Sequence, residues 1–171
     1  MGWASLKQAN NIWPLKINST QMKLEEELKQ KAFVSEREKL FLNILFTAGW
    51  LDTISQRFFK QYGITSQQYN ILRILRGQGG KPATINLLQE RMLDRMSNAS
   101  RLVEKLKQKN FVERRECSQD RRQMDVSITS KGLELLKELD EKMPEMRKQW
   151  WENLSDEEAL IANTIVEKLR G

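Results

Sequence analysis

MLDRMSNASRLVEKLKQKNFVERRECSQDRRQMDVSI, residues 92–128, passes from helical to strand patterning, and that passage decides the fold. In its first half Ala99, Leu102, Val103 and Leu106 recur at i, i+3, i+4 and i+7, the apolar stripe of a helix that turns about 100° per residue. The spacing predicts a helix over residues 97–109. It ends at Asn110, a residue type that tolerates the left-handed backbone found just past helix ends. A short strand over 111–115 and a polar, basic loop follow. Met124, Val126 and Ile128 then alternate with polar residues in a second strand. Two short strands around such a loop, directly after a run of short helices, form a hairpin wing.

Upstream, Ser35 and Glu38 have capping-box spacing. Leu40, Ile44, Ala48, Leu51, Ile54 and Phe58 continue at helical spacing to Gly63, a natural residue for ending a helix. Phe41, Leu45, Trp50 and Phe59 lie off that stripe, and a helix apolar on more than one face needs more than one neighbour. A second subunit is the natural extra neighbour. Thr65 caps the next helix, in which Tyr69, Leu72 and Leu75, or Ile71 and Ile74, turn inward until Gly77–Pro82 breaks it. A helix over 85–92 carries Leu87, Leu88 and Met92. Downstream, Leu135 or Leu136, Leu139, Met143, Met146 and Trp150 form a long helix that Pro144 is expected to kink. Ser155 and Glu158 then form a second capping box ahead of Leu160, Ile161, Ile165 and Leu169.

The expected fold is mainly α with a small β-hairpin wing: a winged helix-turn-helix domain over 63–128, flanked by dimerisation helices over 35–62 and 129–170. Residues 1–34 are an N-terminal extension. Its charged stretch opens abruptly at Met22, so residues 1–21 are either sequence upstream of a native start or an arm that docks on a partner subunit.

Composition narrows the function. The 171 residues suit one domain, and 39% hydrophobic residues suffice for a core. There is no histidine and one cysteine, Cys117, which removes histidine relays, the common zinc sites and an intramolecular disulfide. No patterned carboxylate pair with a base is present, so the chain reads as no enzyme, with no cofactor and no metal. No apolar run reaches the roughly 18 residues of a spanning helix, so no membrane partner and a cytoplasmic location are expected.

The polar face of the 97–109 helix holds Ser97, Arg101, Glu104 and Gln108, flanked by Asn98, Ser100 and Lys105. Short hydrogen-bonding side chains with an arginine suit base edges and phosphates in a major groove; an ordinary solvated helix face is the alternative. Between Arg91 and Arg122 ten basic side chains stand against five acidic ones, which accounts for most of the net charge of +6. Concentrated positive charge is the footprint of a phosphate-binding surface. In the wing loop, Arg121 and Arg122 suit a narrow minor groove, and Asp120 aims one of them through a bidentate pair or else repels phosphate. Double-stranded DNA is therefore the expected partner. A winged helix that binds protein instead is the rival reading, since fold does not fix function.

Together, Ile64–Leu72, 92–106, Phe111–Arg115, Asp120–Arg122 and Ile128–Gly132 resemble the MarR (multiple antibiotic resistance regulator) family in order and spacing, over roughly residues 35–169. The resemblance implies a homodimer held by the first and the last two helices, a recognition helix at 97–109 and a wing Arg122 held by Asp120. It also implies a repressor modulated by a small, often aromatic effector between the dimerisation helices and the reading domain. Trp50 and Tyr69 are candidate contacts for that effector, with core packing as the alternative. Two features depart from the family. The link from Asp94 to Arg101 is one residue longer than usual, which leaves the register of base contacts open. The first helix carries no reactive cysteine; Cys117, near Arg114 and Arg115, is an incidental surface thiol or a sensor.

Overall fold

A computed structural model describes residues 23–116 and 124–171, apart from the side chains of residues 149 and 150. The elements in chain order are α1 (Leu24–Glu27), α2 (Glu36–Lys60), α3 (Ser66–Arg76), β1 (Ala83–Thr84), α4 (Ile85–Arg91), α5 (Ala99–Gln108), β2 (Val112–Glu116), β3 (Met124–Ile128), α6 (Ser130–Trp151) and α7 (Asp156–Lys168). The chain divides within α2 into two compact units, Met1–Trp50 and Leu51–Gly171.

In the second unit, helices and a small sheet enclose one core. Ile71, Leu72 and Leu75 of α3, Leu88 of α4, Val103 and Leu106 of α5, Val126 of β3, and Leu136 and Leu139 of α6 are fully buried. Both inward sets expected on α3 are buried: Tyr69, Leu72 and Leu75 on one side, Ile71 and Ile74 on the other. A helix that touches α4, α5, α6 and β3 has no free apolar face. Local signals start and stop these helices. Thr65 and Gln68 form a complete capping box at α3, with the Gln68 N–H donating to Thr65 Oγ1 and Thr65 N–H to Gln68 Oε1. Thr84 caps α4, and Ser155 with Glu158 caps α7 as a second complete box. Gly63 and Asn110 both take positive φ, 68° and 61°, which ends their helices as expected. At α2 the box is altered: Ser35 Oγ accepts the Glu38 N–H, but the Glu38 carboxylate accepts from Val34 N–H rather than from Ser35.

The sheet is larger than the expected hairpin. Ala83 pairs with Val126 and Thr84 with Asp125, so β1 joins β3 and β2 in the antiparallel order β1-β3-β2. A two-residue strand is too short to show a period, and Pro82 before it reads as a breaker. The first wing strand runs one residue later than expected, because Phe111 closes the end of α5 through its N–H to Leu106 O. α6 runs as one helix through Pro144. It buries Leu135, Leu136, Leu139, Met143 and Met146, whereas α7 buries nothing. No helix among the described residues is long and apolar enough to cross a membrane.

Candidate nucleic-acid interface

α4, the turn over 92–98 and α5 form a helix-turn-helix. α5 begins at Ala99, two residues later than the sequence pattern suggests, because Asn98 is its N-cap: Asn98 Oδ1 accepts the Arg101 N–H at 2.9 Å. Ser97 lies in the turn, where its hydroxyl donates to Asp94 Oδ2 at 2.5 Å. Its hydroxyl proton is thereby engaged within the turn. Arg101 and Lys105 are exposed on the face opposite Ala99, Val103 and Leu106, which are buried, and Ser100 is exposed at the edge of that polar face. The amphipathic pattern of this helix thus separates its core face from its polar face as the sequence requires.

The turn is built from side chains of two helices and of its own residues. Asn70 of α3 accepts the Leu93 N–H at 2.9 Å. Gln89 of α4 bridges it twice, donating to Arg95 O at 2.6 Å and accepting the Ala99 N–H at 3.0 Å. Asp94 accepts from the Met96 N–H and the Ser97 hydroxyl, and these bonds hold its carboxyl below the usual aspartate range, the hydroxyl being the larger cause. Asn70 and Gln89 were not singled out in the sequence, because an isolated amide on a helix carries no spacing signal. Arg91, Arg95, Arg101 and Lys105 are exposed and make no ion pair among the described residues. Arg114 faces α5 instead, 3.7 Å from Glu104. Arg115 pairs along its own strand with Glu113 at 2.7 Å. Among the described basic residues of this region, the positive charge left unpaired is therefore concentrated on α4, the turn and α5.

Asp120, Arg121, Arg122 and Cys117 lie outside the described residues. The strands that carry their loop are in place, with Glu116 opposite Met124 at the outer end of the hairpin.

Tyr69 is a core residue: its ring stacks on Phe59 at 4.5 Å, and its hydroxyl accepts from Arg73 at 2.9 Å. Trp50 lines a cavity of about 150 Å³ with Leu24, Glu27, Asn43, Phe46 and Thr47, below the roughly 300 Å³ at which ligand pockets begin. A larger cavity, about 500 Å³, lies where the end of α2 meets the start of α3 and is lined by Thr53, Gln56, Arg57, Lys60, Ile64, Thr65 and Gln67. Its polar lining gave no apolar pattern to find in the sequence. No group of residues suited to a metal ion occurs among the described residues.

These features define a winged helix-turn-helix protein with an exposed, basic second helix. Residues 62–123 match the sequence model of the MarR family, so the resemblance read from the sequence is borne out and this segment is of MarR type. Among curated relatives, the HTH-type transcriptional regulator PapX of Escherichia coli is 25% identical over 67% of this chain and 70% of its own length. The transcriptional repressor MprA of Escherichia coli strain K12 is 28% identical over 66% of this chain and 64% of its own. Among solved structures, the S. aureus MepR–DNA complex superposes with a TM-score of 0.66 at 22% identity, over 75% of this chain and 93% of that one, a likeness of fold. These relatives are regulators, in keeping with the expectation that the chain is no enzyme.

Proposed function

We propose that this protein is a sequence-specific, double-stranded DNA-binding transcriptional regulator, a repressor that acts as a homodimer on a pseudo-palindromic operator. The observation that carries the reading is the capped α5, which presents Ser100, Arg101 and Lys105 to solvent near Arg91 and Arg95, which have no ion-pair partner among the described residues. Its first turn is where helix-turn-helix proteins meet base edges. Asn98 serves as the cap through its oxygen, which leaves its amide nitrogen to reach DNA, and Ser97 acts chiefly by shaping the turn. MprA is named a repressor and MepR was solved with DNA, which supports extending both properties to this chain.

The dimer reading rests on α7 and its C-cap, where Leu160, Ile161, Ile165 and Leu169 are all exposed. A helix with an apolar stripe and no buried residue is unfinished as a monomer. In a dimer the two α5 helices would enter successive major grooves, with half-site centres about 10 base pairs apart. For the effector, the 500 Å³ cavity has the size of a ligand site, and Arg57 and Lys60 suit an anionic aromatic molecule. It is a better candidate than Trp50 or Tyr69.

A mobility-shift titration on random-sequence duplexes at two salt concentrations tests the DNA reading. Each neutralised phosphate contributes a log–log slope of about −0.9. A flat salt response would transfer the function to a protein partner. Sedimentation that finds only monomer at micromolar concentration would remove the dimer.

A further inference from the structure

The helix-turn-helix turn contains an apolar feature that recognition by arginine and short polar side chains leaves unused. Leu93 is 92% and Met96 94% exposed, while Met92 beside them is 3% exposed and belongs to the core. Neither exposed side chain sits on a slack loop. The Leu93 N–H is held by Asn70 Oδ1, the Met96 N–H by Asp94 Oδ1, and the carbonyl between them, Arg95 O, by Gln89. The backbone is thus pinned on both sides while the two apolar groups are held out in water.

What covers such a pair must suit its surroundings. Arg91, Arg95 and Arg101 flank it without ion-pair partners among the described residues, and the one acid in the turn, Asp94, is occupied by Ser97 and Met96. Two copies of this surface would bring arginines against arginines, which disfavours self-association. An occupant that is anionic yet offers small apolar points fits better, and the turn leads straight into the end of α5 assigned to the groove. The major groove of DNA has both properties, since each thymine projects a C5-methyl between the phosphate rails.

On the DNA-binding reading above, we propose that Leu93 and Met96 are specificity-determining residues that read thymine C5-methyl groups next to the bases reached from the first turn of α5. The contact would select thymine without a hydrogen bond, by removing a methyl and two side chains from water together. Burial of one methyl corresponds to about fourfold in affinity. It would add to each half-site a thymine preference that Arg101 cannot supply.

The test uses the full chain and a duplex selected by it from a random pool. Each thymine is replaced singly by deoxyuridine, which removes only the C5-methyl. Dissociation constants are then measured for the wild type, Leu93→Ala, Met96→Ala and Met96→Gln. We expect one or two thymines per half-site at which deoxyuridine weakens the wild type about fourfold. At those positions the penalty should shrink toward unity in the matching alanine variant, and Met96→Gln, which keeps the length but not the apolar end, should follow Met96→Ala. Uniform deoxyuridine penalties across wild type and variants would overturn the proposal while leaving the DNA-binding reading intact. Failure of the pool to yield any preferred sequence would instead remove both. Thermal unfolding should be unchanged in all three variants, because both side chains are already exposed.

Discussion

The carboxamide of Asn98 caps α5 by accepting the N–H of Arg101, so the residue that starts the helix also fixes the backbone of the first exposed arginine on it. The two side chains have separable roles, and substitution should separate them. Asn98→Ala is expected to cost about 1 kcal/mol of stability, the usual value of an N-cap, and to lower the thermal midpoint. Arg101→Ala should leave that midpoint unchanged, cost about 1–3 kcal/mol of specific binding, and relax base preference at one position per half-site. A stable Asn98→Ala protein would show that the cap contributes nothing here.

Asp94 provides a pH test of the turn. Its carboxyl is held below the ordinary aspartate range by the Ser97 hydroxyl and then the Met96 N–H. A depressed folded value means that the stabilisation is complete above the unfolded value, near 3.9, and is lost as pH falls through the lower folded value. At pH 7, Asp94→Ala should therefore speed amide exchange at Met96 and Ser97. Below the ordinary carboxylate range variant and wild type should converge. A difference that persists at low pH would assign the effect to something other than the carboxylate.

Gly132, in the first turn of α6, has no room for a side chain. A Cβ there would lie 2.4 Å from Phe111 O and 2.8 Å from Ile128 Cγ1, a backbone atom and a packed side chain. Gly132→Ala should destabilise by about 1–3 kcal/mol, as overpacking does. Its effect should be read by chemical denaturation. Gly49→Ala, where a Cβ meets nothing within 4 Å, is the control expected to be neutral or stabilising.

The wing makes a further prediction, carried by residues 120–122. If Arg122 enters a narrow minor groove, Arg122→Ala should weaken binding most on duplexes with A·T-rich flanks. Asp120→Ala should mimic it if Asp120 aims that side chain. Tighter binding by Asp120→Ala would show that the acid only repels phosphate, and the pairing would be wrong.

Where the physics is local, the sequence alone determined most of the outcome. The stripe Ala99, Val103 and Leu106 reports a helix buried on one face because burial at a 3.6-residue period leaves a period in the residues. Thr65 with Gln68, Ser155 with Glu158, Gly63 and Asn110 mark helix ends because the capping groups are close neighbours in the chain. The start of α5 was legible only to within two residues, since Ser97 and Asn98 are both good caps and the choice depends on Asp94 engaging Ser97. Tertiary structure decided what depends on distant partners. β1 exists only because Ala83 and Thr84 find Val126 and Asp125 across the sheet. Tyr69 is packed in the core because Phe59 stacks on it. Leu93 and Met96 stand in water because Asn70 and Gln89, on two other helices, hold the turn between them. Those bonds join residues up to 23 apart in the chain, a separation at which sequence spacing carries no signal.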